Sequence, residues 1–146
     1  MQKKSKMKVL VIDGQGGGIG KQVISATKKL MPQIQITAVG TNSIATTSMK
    51  KAGADQVATG ENAVVVNCRK TDVIIGPIGI VIADALLGEI TPAMARSIGQ
   101  SNAKRILIPI NHCDNIVVGV GDLNTTTLVN AVVQELRKEA IAFDNP

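Results

Sequence analysis

Short apolar runs alternate with segments of helical period along the chain, and the alternation predicts the architecture. Lys8–Ile12 is an apolar strand that runs into Asp13, and a helix is expected from about Gly18 to Leu30, stopped by Pro32. Ile34–Val39 alternates as a second strand, and Thr41 or Asn42 caps a helix that runs to Ala52 and closes on Gly53. Gln56–Ala58 is a short third strand. Asn62–Arg69 reads two ways: Val64, Val65 and Val66 suit a strand, whereas the position between two strands suits a crossover helix, which is preferred. Asp72–Ile75 is the fourth strand and Gly76–Gly79 its turn. Ile80–Leu87 is apolar nearly all round and predicts a buried helix, covered by a second subunit in a homodimer. Thr91 and Pro92 start a helix to about Gln100. Lys104–Ile110 is a fifth strand, Ile116–Val120 a sixth, and a last helix opens at Thr125 or Thr126 and runs to Ala140.

A β-α-β-α pattern repeated at short spacing predicts a single-domain α/β protein. The expected form is a three-layer, doubly wound, mostly parallel sheet of about six strands, Rossmann-like, over residues 8–142. Residues 1–7 form a basic leader and 143–146 a tail. Ligands of such sheets sit beyond the carboxyl ends of the strands, where strand order reverses. The loops gathered there are Asp13–Gly20, Gly40–Ser43, Thr59–Asn62, Gly76–Gly79 and Asn111–Asp114, which are also the glycine-rich and polar stretches of the chain.

Composition narrows the partners. Hydrophobic residues make up 45% of the 146, with one Phe and no Tyr or Trp, so the core is built from Ile, Val, Leu, Ala and Met. The net charge of +5 is mostly at the start: Lys3, Lys4, Lys6 and Lys8 come before Val9, and the rest is nearly balanced. With no aromatic platform and no recognition-helix or zinc pattern, the charge argues against nucleic acid as a partner. Cys68 and Cys113 are too few for a disulfide framework and too far apart for a CxxC site. Only Val9–Ile12 follows the lysine-rich start before Asp13, so no signal peptide is expected, and glycines and Pro77 interrupt the longest apolar run. The expected setting is the cytoplasm, with no membrane segment.

The chemistry concentrates in the turn after the first strand, where Gly14, Gly16, Gly17, Gly18 and Gly20 fall within seven positions. Glycine reaches positive φ cheaply and lets backbone N–H groups approach a phosphate at a helix N-terminus. The loop, with Gln15 and Ile19, therefore predicts a phosphate-bearing small molecule, a nucleotide or a dinucleotide such as NADP or NAD. The spacing Gly14, Gly18, Gly20 resembles the cofactor loop of short-chain dehydrogenases, although a chain without Tyr lacks their usual proton donor. GGIGK resembles the deviant P-loop of partition-type ATPases, but Gln22 stands where a Mg²⁺-binding Ser or Thr belongs. The second strand ends in Gly40, Thr41 and Asn42, with no acid for a ribose 2′-hydroxyl, an end that tolerates the 2′-phosphate of NADP. The leading reading is a binding module that serves as a sensor or a partner subunit. A small NADP-dependent oxidoreductase is the alternative, and an atypical P-loop-like ATPase or phosphotransferase a second one.

Candidates for proton transfer are Glu61, Asp84 and His112. Glu61 stands at a helix start, Asp84 inside the apolar helix, and His112 beside Cys113 in the loop after the fifth strand. No set of residues has metal-ligand spacing, and Asp13 is expected to hold the glycine loop by accepting backbone N–H bonds. The strings VIDGQGGGIGK, VGTNSIAT, KAGADQVATGENAVV, DVIIGPIGIVIADALLGEITP and ILIPIN together resemble a bacterial family of short Rossmann-like proteins, domain-of-unknown-function family 3842. The resemblance implies a Rossmann-like fold and marks Gly14–Gly20, Gly40, Thr41, Asn42, Gly60, Glu61, Asn62, Gly76, Pro77, Ile78, Gly79 and Asn111 as the typical stretches. It assigns no reaction.

Overall fold

In the computed structural model, which describes residues 6–110 and 114–146, strand β1 (Lys8–Asp13) is buried from Val9 onward and alternates between two cores. Val9 and Val11 pack with Ile24, Met49 and Leu136 on one face, and Leu10 and Ile12 with Val64, Ile74 and Ile98 on the other. Successive strand residues point to opposite faces, so a strand covered on both sides must be apolar at every position. β1 is the middle of a five-stranded sheet with β2 (Gln35–Gly40), β3 (Gln56–Thr59), β4 (Val73–Pro77) and β5 (Lys104–Ile108) in the order β3-β2-β1-β4-β5. Every pairing is parallel, with Asp13 opposite Gly40 and Val11 opposite Ile75.

Helices α1 (Gly18–Leu30), α2 (Ser43–Lys51) and α5 (Thr125–Asp144) share one face, and α3 (Glu61–Cys68) and α4 (Pro92–Gln100) the other. Right-handed crossovers demand this division: the chain builds outward through β2 and β3, then crosses back to set β4 beside β1. Strand order therefore reverses between β1 and β4. The ambiguous Val-rich stretch is the helix α3, as a parallel crossover requires. Asn42 caps α2 by accepting from the Ala45 N–H at 2.9 Å. Thr91 caps α4, and Asn124 caps α5.

Two expectations are corrected. The sheet has five strands rather than six, because Ile116–Val120 is not a strand. Its backbone folds into turns, with the Val120 N–H donating to Val117 O, and Ile116 and Val118 stand 89% and 93% exposed. Gly119 (φ +87°) bends the run, which leads from the edge strand β5 toward α5 instead of along a sheet edge. Ile80–Leu87 is not a helix either. A 3₁₀ turn over Ile78–Val81 gives way to residues Asp84, Leu86, Leu87 and Gly88 at positive φ, which no right-handed helix contains. Ile80, Leu86 and Ile90 are each pinned into the core, whereas Leu87 is 97% exposed. Asp84 is thereby exposed on a turn rather than enclosed by a helix.

Candidate functional site

β1 delivers Asp13, only 4% exposed, to the start of the glycine turn. Its Oδ1 accepts from the Gly14 N–H at 2.8 Å and its Oδ2 from the Gly20 N–H at 2.7 Å, so one carboxylate fastens both ends of the loop. The expected role of Asp13 as the holder of the loop is the one it has. It also satisfies donors in the first turn of α1, whose N-cap, Gly17, has no side chain to do so.

The glycines fall into two kinds. A Cβ on Gly17, which sits at φ +72°, would lie 2.8 Å from the Ala45 Cα, and one on Gly20 would lie 2.7 Å from the Met49 sulfur. At Gly14 it would meet Thr41 Oγ1 at 2.8 Å and Leu86 at 2.9 Å. These three are required by packing. At Gly16 and Gly18 a Cβ would meet nothing within 4 Å, and among the described residues their N–H groups have no acceptor. These two are open toward solvent.

The sequence reading missed Glu89. Its Oε1 accepts three hydrogen bonds, from the Gln15 N–H at 3.0 Å, Thr41 Oγ1 at 2.7 Å and Asn42 Nδ2 at 2.7 Å. Asn42 also donates to Gln15 O at 2.9 Å. Glu89 thus joins the β1 loop to the end of β2, and the left-handed turn through Asp84–Gly88 is what brings it there. The one visible signal was a charged residue directly after Gly88 in a run whose sole other charge is Asp84.

The two carboxylates are driven apart. Burial pushes the Asp13 carboxyl up, the Gly20 and Gly14 N–H groups pull it back, the charge of Glu89 adds to the rise, and the result stays above its ordinary value. For Glu89, burial also raises, but the bonds from Thr41, Gln15 and Asn42 outweigh it and leave the group below its ordinary value. A lowered folded-state pKa contributes stability above the unfolded value of 4.5 and loses it as pH falls through the folded one. The difference in melting temperature between wild type and Glu89→Gln should therefore be constant above about pH 6 and shrink below pH 4.5. A pH-independent difference would show that the charge of Glu89 contributes nothing.

Gly14–Gly18 and Pro77 line a pocket of about 210 Å³ on the β4 side of the loop, closed further by Leu86, Ile110 and Thr125. A hollow of about 140 Å³ at the opposite end of the sheet, near Lys8 and Gln56, is remote from the loop. The other residues singled out from the sequence lie elsewhere. Gly60 (φ +100°) donates to Gly40 O, and Glu61 accepts from Thr91 Oγ1, which ties α3 to α4. Asn62 is exposed, and Ile78 and Gly79 belong to the 3₁₀ turn. Gly76 is wedged between strands, where a Cβ would lie 2.5 Å from Ile12 O. Asn111, His112 and Cys113 lie outside the described residues. Burial pushes the Cys68 thiol up to about 11, which makes it a core residue rather than a nucleophile. Among the described residues no three His, Cys, Asp or Glu side chains converge to hold a metal, and no helix is long and apolar enough to cross a membrane.

No curated protein matches the chain. Among solved structures it is similar to a dodecameric FMN-dependent Ubix-like decarboxylase from Escherichia coli O157:H7. The identity is 19% and the TM-score 0.45, with 90% of this chain and 75% of that one covered. The family model "Domain of unknown function (DUF3842)" matches residues 8–141, from the first residue of β1 into α5, and the chain belongs to that family.

Proposed function

We propose that the protein is a nucleotide- or dinucleotide-binding module of NAD(P) type, acting in the cytoplasm as a sensor or as the partner subunit of another chain. The observation that carries this reading is the open pair Gly16 and Gly18. They stand in the turn after β1, beside the point where strand order reverses, with N–H groups that have no acceptor among the described residues. Packing accounts for Gly14, Gly17 and Gly20 and leaves these two to a ligand. A pyrophosphate would lie on them at the N-terminus of α1. One nucleoside would then extend toward Thr41 and Asn42, and the other half into the pocket of Pro77 and Leu86. Binding without turnover is favoured because the sequence has no Tyr to serve as the short-chain reductase proton donor. The proposal includes a homodimer, in which a second copy covers the exposed Leu87, Ile116 and Val118.

Thermal unfolding with NAD⁺, NADP⁺, ATP and AMP, each with and without Mg²⁺, tests the reading. A ligand at 100 times its Kd adds about 2.7 kcal/mol, a rise of several degrees for a domain of this size. The expected result is a rise with a dinucleotide in wild type that is absent in Gly18→Val. The melting temperature of the unliganded Gly18→Val protein should stay close to wild type, because the substituted position is open. No rise with any nucleotide would refute the proposal.

A further inference from the structure

We infer that Glu89 is the residue that recognises the adenosine ribose, accepting from its 2′-hydroxyl, and that it selects NAD over NADP. The inference rests on the dinucleotide reading above and names the ligand class within that same site. It reverses what the sequence suggests, since Thr41 and Asn42 at the end of β2 look neutral and tolerant of a 2′-phosphate. In space that end is not neutral, because Thr41 and Asn42 both donate to the Glu89 carboxylate at 2.7 Å.

Three features equip Glu89 for the task. All three of its hydrogen bonds fall on Oε1, and among the described residues Oε2 has no partner. The carboxylate is therefore fixed in orientation while one oxygen remains to accept. It meets Thr41 and Asn42 at the carboxyl end of β2, and Glu89 is not among the residues that line the Pro77 pocket, so a ligand seated in that pocket and crossing the glycine turn would meet Glu89 with its other half. A dinucleotide-binding sheet places an acid for the ribose at this end of β2. Here the acid arrives from the connection after β4, carried by a turn with Asp84, Leu86 and Leu87 held at positive φ. Such backbone strain persists where the surrounding structure requires it. A 2′-phosphate at this place would bring at least one more negative charge against Glu89, with Asp13 close enough to feel the same field.

Calorimetric titration of the full chain with NAD⁺ and NADP⁺ tests this, in wild type, Glu89→Gln and Glu89→Arg. Wild type should bind NAD⁺ at least tenfold more tightly than NADP⁺. Glu89→Gln should bring the ratio near one, and Glu89→Arg should reverse it. Equal affinities in wild type, a preference for NADP⁺, or a ratio unchanged in the variants would overturn the inference and leave the dinucleotide reading standing. Where a variant fails to fold, the wild-type ratio decides alone. Binding of neither dinucleotide would overturn both.

Discussion

Asp13→Ala should lower the stability of the folded chain by about 3 kcal/mol and its melting temperature by about 8 °C. The substitution strips the acceptors from the Gly14 and Gly20 N–H groups at once, and both are buried at that carboxylate. A buried donor left without a partner costs about 1–3 kcal/mol, and the first turn of α1 also loses the negative group near its positive end. The cost depends on pH, with a definite sign. Burial holds the folded-state pKa of Asp13 above 3.8, so its contribution is fully present below that value and declines as pH rises through the folded pKa. The gap between wild type and Asp13→Ala should therefore be wider at pH 4 than at pH 8. Melting followed by circular dichroism at both values measures it. A loss below about 1 kcal/mol would mean that water replaces the carboxylate and that the loop does not depend on it.

Gly76→Ala should be comparably severe for a different reason. The added carbon would lie 2.5 Å from the Ile12 carbonyl oxygen and 2.7 Å from the Ile80 side chain. Ile80 has rotamers to try, but the carbonyl belongs to the backbone of β1, so β1 and β4 must separate. Overpacking a filled interior costs about 1–3 kcal/mol, and this contact is at the upper end because the obstacle is main chain. Gly18→Ala is the control. It is the same chemical change, at the first residue of α1 with open space around it, and should be neutral or stabilise by up to about 1 kcal/mol. Denaturant melts of the two variants side by side decide the matter: similar midpoints would mean that the strands yield easily and that Gly76 is not a packing requirement.

Much of this architecture was legible because it rests on local rules. An apolar run closing on glycines before a helical period identifies β1 and α1, and the need to cross a parallel sheet identifies α3 despite its valines. The failures share one cause. The apolar run Ile116–Val120 predicts a strand, but composition does not show that the chain turns at Gly119 instead of pairing with the edge strand β5. Periodicity over Ile80–Leu87 cannot register that Asp84, Leu86 and Leu87 adopt left-handed conformations. The role of Glu89 could not be read because its side-chain partners, Thr41 and Asn42, are 48 and 47 residues away in sequence. Burial of Asp13 and openness of Gly16 and Gly18 are likewise properties of folded space, whereas the glycines themselves could be read directly.

The double grip of Asp13 has a consequence for how this chain can change in length. A carboxylate holding the Gly14 and Gly20 N–H groups measures the stretch between them, since its two oxygens reach both donors only when that stretch closes on itself. One residue more or fewer there would detach one end and let α1 slide along its axis over Val9 and Val11. The connection through Val117–Leu123 shows no such gauge among the described residues, where its backbone bonds are two short turns and most of its side chains are exposed. Insertions and deletions, whether arising in natural variants or introduced as tags and circular permutation points, will be tolerated there and rejected in the glycine turn.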